Sequence, residues 1–410
     1  MFIELTGEQR ALRDELRGYF GGLLSPAERE VLLTKRHGPV YRELIRRMGR
    51  DGWLGIGWPK EYGGRGFGQI EQQIFTSEAA RADIPLPAVT LQTVGPTLQV
   101  HGTAEQKDFF LPKILAGEVH FAIGYTEPEA GTDLASLQTR AVRHGDEYVV
   151  DGQKIFTTGA HDADYIWLAV RTDPGAPKHK GISILIADTR DPGFSWTPII
   201  THDGAHHVNA TYYDGVRVPV SMRVGEENNG WRLVTEQLNH ERVMLGPAGR
   251  LGAVYDQVRD WAASRTGHDG RPLLTEPDVR RALARTYASL RVNELLNWQV
   301  AAHERVDIAD ASATKVYGSE EVQRLGQELE ELVGRHGDPA DPATGTLLLW
   351  LDTQAKRNTV LTFGGGVNEV QRELIATAGL GLPRVPRLPS SPPPFRQTSP
   401  SPFPADEEIG

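Results

Sequence analysis

Residues 125–133 read YTEPEAGTD, a short stretch that combines backbone freedom, hydroxyls and carboxylates. Pro128 forbids a helix through it, and Gly131 permits a positive φ that other residues resist. Thr126 and Thr132 supply hydroxyls, while Glu127, Glu129 and Asp133 supply charge. Two roles suit such a segment: a polar surface turn, or a loop whose N–H groups and hydroxyls grip a ligand. Glu241 stands in LNHERVML, where helical spacing sets Leu238, Glu241 and Leu245 on one face, so its carboxylate projects among apolar neighbours. The alternative for Glu241 is a surface carboxylate paired with Arg242 or another arginine. His206 and His207 stand in a strand-edge pattern without metal-ligand spacing, so they read as structural or pocket-lining residues. The chain has no cysteine, which removes thiol chemistry, disulfides and Cys-ligated metals, and no metal site is expected.

The elements that must position these residues follow from periodicity. Residues 1–118 repeat apolar positions at three and four, as in YRELIRRMGRDGWLGI and AEQKDFFLPKILAGE. The first helix opens with a capping box, Thr6 to Gln9, and sets Leu12, Leu16, Tyr19 and Leu23 on one face. From 119 to 222 the period falls to two, in EYVVDGQKIFTT, YIWLAVRT and GISILIAD, with Asp151-Gly152 a hairpin signal. After Pro219 helical patterns return over 229–263, 277–304, 309–335, 345–360 and 368–379. Residues 385–410 are rich in Pro and Ser and read as a disordered tail. The order is a helical domain (1–118), a small β domain (119–222) and a second helical domain (223–384).

A chain of 410 residues exceeds one ordinary core. Its net charge of −10, with no long basic run, argues against nucleic acid or a membrane surface as the main partner. No apolar run reaches membrane-spanning length, and the acidic N-terminus is unlike a signal peptide. A cytoplasmic location is the expectation.

Four motifs, taken together and in order, resemble the acyl-CoA dehydrogenase family: YTEPEAGTD (125–133), GQKIFTTGA (152–160), DGVRVP (214–219) and GWRLVTEQLNHERVMLGPAGR (230–250). FGGGVNEVQRELIATAGLGLPR (363–384) resembles the family's closing helix. The resemblance covers residues 5–384 and is stronger still to the FAD-anchoring, base-bearing subunit of heterotetrameric bacterial steroid side-chain enzymes. It implies an α+β fold: an N-terminal helical domain, a middle β-barrel or sandwich, and a C-terminal four-helix bundle. It also implies FAD, and oxidation of an acyl-CoA thioester to its 2-enoyl-CoA with electrons passing to an electron-transfer flavoprotein. By this resemblance Ile123, Tyr125, Thr126, Phe156 and Thr158 contact the isoalloxazine ring, and Gly131 and Thr132 reach its phosphate side and the pantetheine. Phe156 replaces the family's usual Trp, keeping an apolar wall without the indole N–H.

Most of the family holds its catalytic Glu in the loop before the closing helix, where this chain has Gly365. The isovaleryl- and long-chain-type enzymes carry it on the first long C-terminal helix, where this chain has Glu241. The resemblance therefore implies Glu241 as base, with Asn239 and Arg242 near the thioester and pantetheine. Family homo-oligomers also lend a neighbour the segments R-x-x-F-G and Q-x-x-G-G-x-G for its FAD. Here Thr266 and Asp269 replace Arg and Phe, Glu331 replaces Gln and Arg335 replaces the second Gly. An acid facing a pyrophosphate costs roughly 4 kcal/mol per close charge pair at intermediate dielectric. A paralogous subunit is thus expected to complete the site, in an α2β2 heterotetramer with one FAD per heterodimer. The competing readings are a noncatalytic structural subunit and an oxygen-using acyl-CoA oxidase.

Overall fold

The computed structural model describes residues 4–244, 246–267, 270–302 and 307–384, with the backbone alone for 238–244. The Pro/Ser-rich segment 385–410 and Asp269 lie outside the described residues. Six helices open the chain: α1 (Gly7–Leu23), α2 (Pro26–Thr34), α3 (Pro39–Arg50), α4 (Gln69–Arg81), α5 (Gly95–His101) and α6 (Ala104–Leu115). Capping boxes start three of them, at Thr6 with Gln9, Ser25 with Glu28 and Thr103 with Gln106. Each satisfies backbone N–H groups that a helix leaves orphaned. On α1 the buried face is Leu12, Leu16, Phe20 and Leu23. Phe20 takes the place the periodicity gave to Tyr19, whose hydroxyl instead donates to Asp51 at 2.7 Å near the surface.

Eight strands follow: β1 (Phe121–Gly124), β2 (Arg140–His144), β3 (Glu147–Thr158), β4 (Tyr165–Arg171), β5 (Ile182–Asp188), β6 (Phe194–Ile200), β7 (His206–Pro219) and β8 (Arg223–Val224). They form one sheet in the order β6-β7-β3-β2-β4-β5-β8, and β1 pairs with β4 in parallel. β4 and β5 are buried on both faces, so they read as continuous apolar runs rather than alternating ones. The last short strand extends the sheet two residues beyond the expected limit at 222, because Val224 and Arg223 pair with β5.

Asp151-Gly152 is not a hairpin turn. It lies inside β3 at a register shift against β7, and the β2–β3 turn is at Gly145-Asp146. Glycine at 152 answers a close approach: a Cβ there would sit 2.6–2.8 Å from Thr139.

The C-terminal part contains α7 (Gly230–Met244), α8 (Ala248–Ala263), α9 (Pro277–Ala301), α10 (Ile308–His336), α11 (Pro342–Asn358) and α12 (Asn368–Leu374). The single helical pattern over 229–263 is two helices. Pro247 caps the second, since it has no N–H to continue the first. Helices α8 to α11 share one apolar core around Val258, Trp261, Leu283, Leu329 and Leu351. A larger core joins the first six helices to the inner face of the sheet through Phe75, Phe110, Trp167 and Ile184, and reaches Leu233 of α7. The first turns of α7 are thereby packed into the junction between the sheet and the N-terminal helices.

Gly152→Ala is expected to lower stability by about 1–3 kcal/mol, the range of an overpacked core site. A fall in the urea midpoint at unchanged m-value checks it.

Candidate active site

The loop after β1 is closed by a two-residue turn. Glu127 and Ala130 exchange backbone hydrogen bonds at 3.1 Å in both directions, with Pro128 and Glu129 outside. Ala130 is buried beneath the turn. Gly131 does not use the positive φ open to it, and a Cβ there would meet nothing closer than 3.9 Å. Its value to the site is an uncovered backbone beside exposed Thr132.

Beneath the turn lies Lys154 of β3, fully buried. Its Nζ donates to Glu127 Oε1 at 2.8 Å and to the Tyr125 carbonyl at 3.0 Å. Glu127 also accepts from the Gln138 and Thr139 N–H groups at 2.6 and 2.8 Å. Burial pulls the Lys154 ammonium down to about 8. Desolvation pushes the Glu127 carboxyl up, but the ammonium and the backbone donors outweigh it and hold the group below its ordinary range. Both groups are therefore charged at neutral pH. Sequence reading saw Glu127 only as loop charge and missed Lys154, because the lysine lies 27 residues away in an otherwise alternating strand.

The apolar wall is Phe156. It sits in the left-handed region at φ 59°, within a register shift between Lys154 and Thr157. A bulky residue rarely adopts that conformation, and here the bulge turns the ring outward, leaving it 59% exposed. Thr158, two residues on, is exposed as well. The loop and this strand are joined where the Ile155 N–H donates to the Thr126 carbonyl at 2.8 Å. Ile123 is half-buried in β1 opposite Trp167. Among the described residues the hydroxyls of Thr126, Thr132 and Thr158 serve no hydrogen bond within the chain.

Two further apolar side chains were not found from sequence. Val360 and Phe363, in the turn after α11, are 57% and 66% exposed. Arg357, at the end of α11, tethers that segment to the sheet: its Nε donates to Asp203 at 3.0 Å, and Asp203 also holds His207. The His207 carbonyl in turn accepts from Gly159, beside Thr158. Exposed flat apolar walls, an uncovered backbone loop and free hydroxyls are what a flavin ring with a polar edge requires. The residues fit FAD.

Behind Thr158 is a cavity of about 150 Å3 bordered by His37, Tyr41, His120, Phe121 and Asp162. Burial holds His37 down at about 4, assisted by His161, and holds His120 at about 4, assisted by Arg42. His206 and His207 bond Asn209 and Asp203. They are structural, and among the described residues no His, Asp and Glu group is arranged to hold a metal ion.

Position 241 is on α7, one helical turn beyond Gln237. The side chains of Asn239, Glu241 and Arg242 lie outside the described residues. The rival base position is described fully. Gly365 and Gly366 both have positive φ, 66° and 94°. Lys315 of α10 donates to the Gly366 carbonyl at 2.9 Å, and Gln371 donates to both glycine carbonyls at 3.3 Å. A glutamate at 365 would be forced into a left-handed backbone pinned on both sides.

At one end of the C-terminal bundle, Trp261, Leu273 and Val333 share a core, and this brings Thr266 near the end of α10. Thr266, Glu331 and Arg335 are all exposed there. Arg265, one residue before Thr266, is paired with Asp341 at 2.5 Å.

Models of the acyl-CoA dehydrogenase N-terminal, middle and C-terminal domains match residues 6–118, 122–215 and 228–380. The chain is 68% identical over 388 residues to the acyl-CoA dehydrogenase FadE29 of Mycobacterium tuberculosis, covering 94% of this chain and 100% of the relative. It is 49% identical over 401 residues to FadE26 of the same organism, again covering 94% and 100%. Among solved structures, it resembles a chain of the ChsE4-ChsE5 complex from M. tuberculosis with TM-score 0.86 and 49% identity, over 94% of this chain and 100% of that one. A chain of the Tcur3481-Tcur3483 steroid ACAD gives TM-score 0.86 and 51% identity at the same coverage.

Lys154→Met leaves the Glu127 carboxylate buried without its cation and is expected to cost about 3–5 kcal/mol, with loss of bound flavin. Adding Glu127→Gln should restore part of the stability in thermal denaturation. Acid should destabilise the fold through His37 and His120. Unfolded, each takes a proton near 6.5; folded, only near 4. Stability therefore falls as pH drops through that window, by about 3 kcal/mol per ring. Urea midpoints between pH 7 and 4 measure the slope, and His37→Gln should flatten it.

Proposed function

The chain belongs to the acyl-CoA dehydrogenase family, FAD-dependent oxidoreductases acting on CH–CH bonds, and on that premise we propose that it is the flavin-holding, base-bearing subunit of a heteromeric enzyme that converts a steroid side-chain acyl-CoA to its 2-enoyl-CoA. The observation that carries this reading is the pairing of two positions. Position 365 is a pinned left-handed glycine, while position 241 continues the face of α7 that meets the flavin loop at Gln237.

FAD, when bound, supplies the acceptor for the hydride that leaves the β-carbon. Ile123, Tyr125, Thr126 and Thr158 would border its ring, Phe156 would cover one face, and Gly131 and Thr132 would lie toward its phosphates and the pantetheine. Glu241 takes the α-proton. A thioester α-proton is weakly acidic, so the site must exclude water and raise the basicity of that carboxylate. Asn239 and Arg242, a residue or two from the base on the same helix, would bind the thioester and pantetheine. Electrons leave to an electron-transfer flavoprotein. No described helix is long and apolar enough to cross a membrane, and the proposed compartment is the cytoplasm.

Likeness to the Tcur3481-Tcur3483 steroid ACAD supports a steroid substrate, and likeness to both two-subunit assemblies supports a paralogous partner. Two features of the chain agree. Glu331 would repel a neighbour's pyrophosphate and Thr266 lacks the guanidinium that would bind it, and α9 leaves Tyr287, Val292 and Leu295 exposed, an apolar surface suited to a protein interface.

Glu241→Gln is expected to preserve folding and flavin content while slowing substrate-induced bleaching by at least about 10²–10⁴. Bleaching at the wild-type rate would place the base elsewhere and favour a structural role for this subunit. Flavin absorbance against protein mass should give one FAD per heterodimer. A homotetramer with one FAD per chain would contradict the assembly.

A further inference from the structure

A buried polar chain crosses the junction between the sheet, the flavin loop and α7. The Trp167 indole N–H donates to the Tyr125 hydroxyl at 3.1 Å. The Tyr125 hydroxyl donates to Gln237 Oε1 in a short contact. Gln237 Nε2 donates to Thr97 Oγ1 at 2.9 Å, and Thr97 donates to the Thr93 carbonyl at 2.7 Å. Gln237 is 2% exposed, and Trp167 and Tyr125 are buried too.

The direction of every bond is fixed. An indole nitrogen only donates, so the Tyr125 oxygen accepts there and turns its own proton toward Gln237. That orients the amide, with its oxygen toward the flavin loop and its NH2 toward α5. Thr97 must then accept from the amide and donate to Thr93. Rotating α7 by even a fraction of a turn would leave several buried polar groups unpaired, each at a real desolvation cost.

We infer that Gln237 is a positioning residue: it sets the rotation of α7 against the flavin loop, and so places position 241, four residues on, relative to the ring. This rests on the proposal that Glu241 is the base. Four residues span about 6 Å along a helix, so a change in the anchor at 237 is felt directly at 241. Displacements near 1 Å at a reacting group can cost about a hundredfold in rate.

The test uses the purified two-subunit holoenzyme with Gln237→Met, which keeps the volume and removes both hydrogen bonds, and Gln237→Glu. Gln237→Met should lower kcat about a hundredfold at unchanged KM and flavin content, and backbone amides of α7 should exchange with deuterium about tenfold faster. Gln237→Glu in its protonated form, accepting from Tyr125 and donating to Thr97 without reversing the Thr97 hydroxyl, should recover most of both at the acid end of the pH range. Wild-type kcat in Gln237→Met, alongside a dead Glu241→Gln, would overturn the positioning role alone. If Gln237→Met loses stability but keeps its kcat and α7 exchange, Gln237 is only structural, and the inference likewise fails. An active Glu241→Gln would instead remove the reading on which it rests.

Discussion

A lysine ammonium with no access to solvent holds the loop 125–133 in place. Lys154 reaches through the sheet to Glu127 and the Tyr125 carbonyl, and Glu127 is itself saturated by two backbone N–H groups. A buried pair of this kind adds little net stability relative to apolar residues, but breaking one side of it is costly. What it supplies is geometry. The turn 127–130 can close in only one place, and Tyr125 and Thr126 are set immediately before it. The same strand, two residues after Lys154, turns Phe156 outward through a bulge. Loop and wall are therefore positioned by one short stretch of β3.

From this anchor the constraint passes to the C-terminal helices by two routes. One is the chain of bonds from Trp167 through Tyr125 and Gln237 to Thr97, which fixes α7. The other runs from Arg357 through Asp203 to His207 and the Gly159 backbone, which fixes the end of α11 and the exposed Val360 and Phe363. Both meet around the strand that carries Phe156 and Thr158. These cross-ties add to the direct packing of α4 on α8, where Arg81 pairs with Asp256 at 2.5 Å and Trp350 and Gln354 of α11 donate to Asp83.

The sequence made the three-part order of elements legible, since periods of 3.6 and 2 are strong local signals. The chemistry-bearing motifs were legible too, by resemblance. Less visible were features that depend on distant contacts. The Asp151-Gly152 pair imitates a hairpin signal, yet its glycine answers the approach of Thr139 across the sheet. The pattern over 229–263 hides a helix break, because Gly246-Pro247 falls between two segments of continuous apolar period. Lys154, Gln237 and Arg357 look like ordinary polar residues until the fold buries them against partners 27, 112 and 154 residues away. Val360 and Phe363 were missed because an exposed apolar side chain cannot be told from a buried one by type alone.

The central claim is that the base comes from α7 of this chain and not from the glycine loop or a partner. The most direct measurement is a crystal structure of the FAD-loaded two-subunit complex with an enoyl-CoA product. The account predicts the Glu241 carboxylate within hydrogen-bonding reach of the thioester α-carbon, about 3–3.5 Å, opposite the flavin. A carboxylate of the partner subunit at that place, with Glu241 turned to solvent, would contradict it.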